Sequence, residues 1–317
     1  MTHVTFIHGI ANKPSSAETL RVWKAALAKA AVPIDLGAEG ISSEMVYWAD
    51  VLYEAPLPDG SYEAAGEDIL VEAGEGAGER VGTPDADNAT EAAWIAALEQ
   101  RLGLEAGEAG EMRIAEAPAE GTLSAELERI PLPGPVKDKL LKIFLRDVHH
   151  YLFNATHSPR PGVTYKVQDE IRTRFVAALQ RGAAKGGRHV VISHSMGTVI
   201  AYDCLKRVAG CPRVDAFMTI ASPLGIDEVQ DRLRPEWTRD DGFPSATVAG
   251  DWLNYFDKLD PVPRLDPYLA NDFRRASKMV VEDASQSNSG LWRHSITKYL
   301  AGKPVSAAIS RLLGITV

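Results

Sequence analysis

The chain has 317 residues, 45% of them hydrophobic, enough for one large core or a core with an insertion. Its net charge of −9 is local: residues 61 to 130 hold 17 acids against 4 arginines, leaving the remainder at +4. Such a tract repels phosphate backbones and no basic stripe interleaved with aromatics offsets it, which argues against nucleic acid as a partner. No stretch of about 18 apolar residues occurs and no leader pattern precedes the first strand, so neither a transmembrane segment nor export is expected. Two cysteines, Cys204 and Cys211, are too few for a disulfide framework and predict free buried thiols in a reducing, cytoplasmic setting.

Thr2 to His8 carries the run Val4-Thr5-Phe6-Ile7 and reads as a strand entering a loop at His8-Gly9-Ile10. Leu20, Trp23, Leu27 and Ala31 recur at helical spacing behind Ser15 or Ser16, predicting a helix, and Glu44 to Trp48 predicts a second strand. From about 55 to 135 the chain turns to Ala, Glu, Gly and Pro, with segments such as Gly74 to Gly78 that no regular element favours. Inside it Trp94, Leu98 and Leu102 suggest a helix over Thr90–Leu104, and Pro135–Phe153 suggests another. Residues 51 to 160 are therefore an insertion in a single domain spanning 1 to 317, serving as a lid or as a plain surface excursion.

Regular alternation returns at Val163: a helix to Ala184, a strand His189–Ile192, a helix Met196–Val208, then strands over Val214–Ile220, Thr247–Tyr255 and Lys278–Glu282. A closing helix is expected from His294 to Leu313. Strands separated by helices need crossover connections, so the fold class is α/β, a mostly parallel sheet flanked by helices, with ligands at the carboxyl ends of its strands.

At one such end stands Ser193-His194-Ser195-Met196-Gly197, between an apolar strand and a helix. A sharp strand-to-helix turn projects its central serine and crowds the residues two before and two after, which are small here. The helix opening at Met196 turns free amides and the positive end of its dipole toward the same point. A serine hydroxyl in that position needs a base to act as a nucleophile.

The segment resembles the nucleophile elbow of α/β-hydrolases, departing from it by Ser193 where glycine is usual. The resemblance implies a nucleophile at Ser195, followed in chain order by an acid and then a histidine. It also implies that the amide after the early His8-Gly9 pair, that of Ile10, joins the Met196 amide as an oxyanion hole. Asp260-Pro261-Val262-Pro263 is similar to the acid loop of many lipases, making Asp260 the acid, with Asp257 the alternative. His294 is the one histidine beyond that loop and becomes the base.

The function implied is hydrolysis of a carboxylic ester, lipase- or esterase-like, through an acyl-enzyme on a small-molecule substrate, with no cofactor and no catalytic metal. Thioester hydrolysis, acyl transfer and a non-catalytic module using the acidic insertion stay open. His149, His150 and His157 lack a metal-ligand spacing and are expected at surface or lid positions. His194 is expected to pack, and Ser222-Pro223 to lie near the pocket.

Overall fold

The computed structural model describes residues 1–60, 82–104, 134–290 and 292–315. The Gly74–Gly78 segment and most of the acidic tract lie outside them.

The sheet has six strands: β1 (Thr2–Ile7), β2 (Ile41–Val46), β5 (Arg188–His194), β6 (Ala216–Ile220), β7 (Trp252–Phe256) and β8 (Val281–Ser285). Their order is β2-β1-β5-β6-β7-β8 and every neighbouring pair is parallel. Alternate residues feed two layers. Val4, Phe6, Val190, Ile192, Met218 and Leu253 join one core with helices α1 (Ser16–Ala28), α8 (Ile296–Ala301) and α9 (Lys303–Leu313). Ile7, Val191, Phe217 and Trp252 join the other. There they meet α3 (Ala89–Leu102), α4 (Gly134–Leu152), α5 (Val167–Ala184) and α6 (Met196–Arg207). Central strands buried on both faces explain the unbroken Val190-Val191-Ile192 run.

The insertion enters through α2 (Ala49–Leu52), and its helices are not a separate body. Trp94, Leu98, Phe144, Val148 and Tyr151 share one continuous core with α5 and α6. Asn88 caps α3, accepting from the Glu91 amide at 3.0 Å, and Gly103 closes it in the left-handed region at φ 71°.

Several expected elements change at their ends. Val163 opens the second strand of a hairpin instead of a helix: β3 (Thr156–Arg160) pairs antiparallel with β4 (Val163–Lys166) around Pro161-Gly162, where Gly162 has φ 75°. The closing helix breaks into α8 and α9 at Gly302, with Pro304 in the first turn of α9. Of the strand expected from Thr247, Val248 keeps a single bridge to Val214 and β7 begins past Gly250, whose missing side chain leaves room for the Asp215 carbonyl. β8 starts at Val281 because Lys278 turns back to Arg275 and Met279 is exposed.

Among the described residues no helix is long and apolar enough to cross a membrane. Cys204 and Cys211 are free and buried, and burial pushes the Cys211 thiol up to about 12.

Candidate functional site

The chain leaves β1 toward β2 on one side and later returns to β5 on the other, so the winding of the sheet reverses between β1 and β5. Such a reversal opens a crevice outside the carboxyl ends of the two strands. Pairing of Ile7 with Ser193 sets the register, so that Gly9 arrives beside Ser195, two residues past each pair member. A β-carbon on Gly9 would stand 2.7 Å from the Ser195 β-carbon. One on Gly197 would stand 2.5 Å from the His8 carbonyl oxygen, so both glycines let the β1 loop and the start of α6 touch.

Ser195 sits on the turn between β5 and α6 with φ 52° and ψ −130°, backbone angles that cost a non-glycine residue about 1–3 kcal/mol. The turn is held from below: the Ser195 amide donates to the Ile220 carbonyl at 2.9 Å, and the Thr198 hydroxyl to the Ser195 carbonyl at 2.6 Å. Ser193 is buried with its hydroxyl donating to the Met218 carbonyl at 2.8 Å, so serine fits where the pattern has glycine. Ser222 does not line the cavity described below; its hydroxyl bonds that of Thr198 at 2.7 Å.

Three residues from distant loops meet here. His294 Nε2 lies 2.8 Å from Ser195 Oγ, and His294 Nδ1 lies 2.8 and 2.9 Å from the two oxygens of Asp260. With the carboxylate accepting at Nδ1, the proton belongs on Nδ1 and the free lone pair on Nε2 faces the serine. Asp260 also accepts from the Val262 amide at 3.0 Å and the Tyr299 hydroxyl at 2.8 Å. Burial, followed by the Asp260 charge, holds the Tyr299 phenol well above its ordinary 10, so it remains a donor. Ser195, Asp260 and His294 are all within 1% of full burial, which removes competing water from the series.

Asp257, the alternative acid, does not reach the imidazole. It accepts from the Asn288 amide at 2.6 Å and Arg293 at 3.1 Å, clamping the loop that carries His294. It was a close rival in sequence because it ends the same strand; the fold turns it toward the loop instead.

The Met196 amide is the first of α6, one of those a helix leaves without an internal acceptor, and the Ile10 amide has no acceptor among the described residues. Around Ile10 the loop is fixed. His8 Nδ1 donates to the Gly9 carbonyl at 2.8 Å while His8 Nε2 accepts from the Trp48 amide at 3.1 Å, and the two rings stack. Burial, with the Lys13 charge second, lowers His8 to about 3, so it stays neutral.

Two contributors had no decisive signal in the sequence. Tyr299 is one tyrosine among nine. His194 packs against Trp23, as expected, but its Nε2 also lies 2.9 Å from the His294 carbonyl, so a ring N–H there supports the loop that carries His294. Burial and then His294 drive it well below 6.5, leaving it uncharged.

Beside His294 lies an apolar cavity of about 10 Å³, lined by Ile10, Val262, Trp292 and His294 from the sheet side and by Leu140 and Leu141 of α4. That is room for about one water molecule. The other insertion histidines stand apart: His149 is buried against Glu91 at 2.6 Å rather than exposed, His150 bonds the Arg146 carbonyl, and His157 the Leu52 carbonyl. Among the described residues no group of three or more His, Cys, Asp or Glu is placed to hold a metal ion.

Fold and site together define an α/β protein with a buried Ser-His-Asp hydrogen-bonded series at the strand switch point. No protein-family model matches the chain, and no curated protein matches it significantly.

Proposed function

We propose that this chain is a serine hydrolase of the α/β-hydrolase kind that cleaves carboxylic esters. The observation that carries the reading is His294, bonded on one ring nitrogen to Ser195 and on the other to Asp260, in a site where the Ile10 amide and the first amide of α6 have no acceptor among the described residues. His294 Nε2 removes the Ser195 proton as Oγ adds to the ester carbonyl, and the Ile10 and Met196 amides donate to the oxygen that becomes negative. Collapse of this intermediate breaks the ester C–O bond, and His294 returns the proton to the departing alkoxide. Water then adds to the acyl-enzyme, giving its proton to His294, and the acid leaves as Ser195 regains its own. Asp260, through its bonds to Nδ1, holds the ring in place and stabilises the imidazolium.

The apolar lining by Ile10, Val262, Trp292, Leu140 and Leu141 favours an uncharged acyl group. A cavity of about 10 Å³ cannot hold a substrate, so the Leu140 and Leu141 side chains of α4 act as the lid and move aside on entry. The test is mass spectrometry after exposure to a fluorophosphonate. A single adduct on Ser195 that is absent in His294→Ala supports the reading; an unlabelled protein that also hydrolyses no p-nitrophenyl ester overturns it.

A further inference from the structure

We infer that Asp147, on the insertion helix α4, is a positioning residue for the oxyanion hole, so that the insertion completes the reactive site as well as covering it. The inference rests on the serine-hydrolase reading above.

The Ile10 amide belongs to the peptide plane whose carbonyl is that of Gly9, and His8 fixes that plane through the Gly9 oxygen. In a trans peptide the N–H points opposite to the C=O, so this bond aims the Ile10 N–H away from His8. The next plane, Ile10 to Ala11, must be fixed too, or rotation about the Ile10 backbone would carry the loop off target. Its N–H, that of Ala11, donates to Asp147 Oδ2 at 2.9 Å. Ala11 lies in the left-handed region at φ 67°, a conformation that a residue with a β-carbon keeps only when its surroundings impose it. Asp147 is the imposed acceptor.

Asp147 is fully buried, and a buried carboxylate persists only when paired. Oδ1 accepts from Arg146 at 3.0 and 3.1 Å, and the Tyr53 hydroxyl donates to Oδ2 at 3.1 Å. Arg146 in turn donates to the Tyr53 oxygen at 2.6 Å and lies over its ring. The carboxylate is thus held from α4 and from the segment after α2, and is offered to a loop belonging to the sheet.

The experiment measures the rate of Ser195 phosphonylation by a fluorophosphonate, with kcat and KM for p-nitrophenyl acetate, in the full-length chain. Asp147→Ala should lower both the phosphonylation rate and kcat about 100-fold, the scale of one lost oxyanion donor, with KM within about three-fold. Asp147→Asn retains an acceptor of the same shape and should restore kcat to within about five-fold of wild type. Should Asp147→Ala not fold, Asp147→Glu, whose acceptor is displaced by one methylene, should still lose kcat about ten-fold. Wild-type phosphonylation rates in Asp147→Ala or Asp147→Glu, or losses that follow the folded fraction with no recovery in Asp147→Asn, would overturn the inference while leaving the hydrolase reading intact. A wild-type protein that does not label at Ser195 would overturn both.

Discussion

The site has two walls of different character. The sheet wall carries Ser195, His294 and Asp260 on loops from three strands, joined by bonds of 2.8 to 2.9 Å and backed by Tyr299, Val262 and Thr198. The insertion wall meets it through the apolar side chains of Leu140 and Leu141, leaving about 10 Å³ between them. One wall joins its three polar side chains by hydrogen bonds; the other is a van der Waals contact whose leucines can part without leaving a buried polar group unmet. On the proposed hydrolase reading, reactivity lies where geometry cannot drift and access where separation costs least. Asp147 is the exception, a polar tie from the insertion into the sheet-side loop.

The sharpest break in this comparison comes from the sheet wall. Ser195→Ala and His294→Ala should each lower kcat for an ester by at least about 1,000-fold, leaving residual catalysis by the oxyanion amides. The melting temperature should stay within a few degrees, and a rise in the Ser195 variant would fit release of its backbone strain. Asp260→Asn should cost about 100- to 10,000-fold because the amide no longer enforces the Nδ1–H tautomer, whereas Asp257→Asn should act mainly on the stability of the His294 loop. Comparing kcat against thermal midpoint for the pair separates the two aspartates.

The insertion wall should respond in specificity. Leu141→Ala enlarges the cavity and should raise kcat/KM for a p-nitrophenyl octanoate relative to the acetate about ten-fold, at a stability cost of about 2–3 kcal/mol measured by urea unfolding. An unchanged ratio would mean that Leu141 does not bound the acyl pocket.

A smaller, graded effect concerns pH. His8 and His194 are kept neutral in the fold by burial, with pKa values far below the 6.5 they regain on unfolding. Above pH 6.5 neither state takes up these protons. As pH falls below it, the unfolded chain binds them and the native one does not, until His8 titrates near 3. Each should lower stability by about 1.4 kcal/mol per pH unit in that window. Denaturant melts from pH 7 to 5 read the slope, which His8→Asn should reduce by one proton's worth. Smallest of all, Tyr299→Phe removes one of several donors to Asp260 and should lower kcat less than about ten-fold.

Local chemistry made much of this readable from the chain. Alternating β-branched runs and helical spacings announced the parallel sheet because side-chain periodicity is set by backbone geometry. The small residues flanking Ser195 announced the tight turn because a turn that sharp excludes bulk. Pro161-Gly162 and Gly302 with Pro304 are local turn and helix-break residues, and the structure places the hairpin and the break at them. Other features had no local cause. The choice of Asp260 over Asp257 depends on where the loop after β7 turns relative to His294, and the donations of Tyr299 to Asp260 and of the Ala11 amide to Asp147 span 39 and 136 residues.

The sequence by itself determined the alternation of elements, the strained serine turn and the order of the candidate groups, since each follows from neighbours along the chain. Tertiary structure alone decided which carboxylate faces the imidazole, that the insertion helices join the main core, and that Leu140 and Leu141 of α4 line a cavity with Ile10 and His294. Those outcomes depend on contacts between residues far apart in sequence, where distance and direction are fixed by packing and not by residue type.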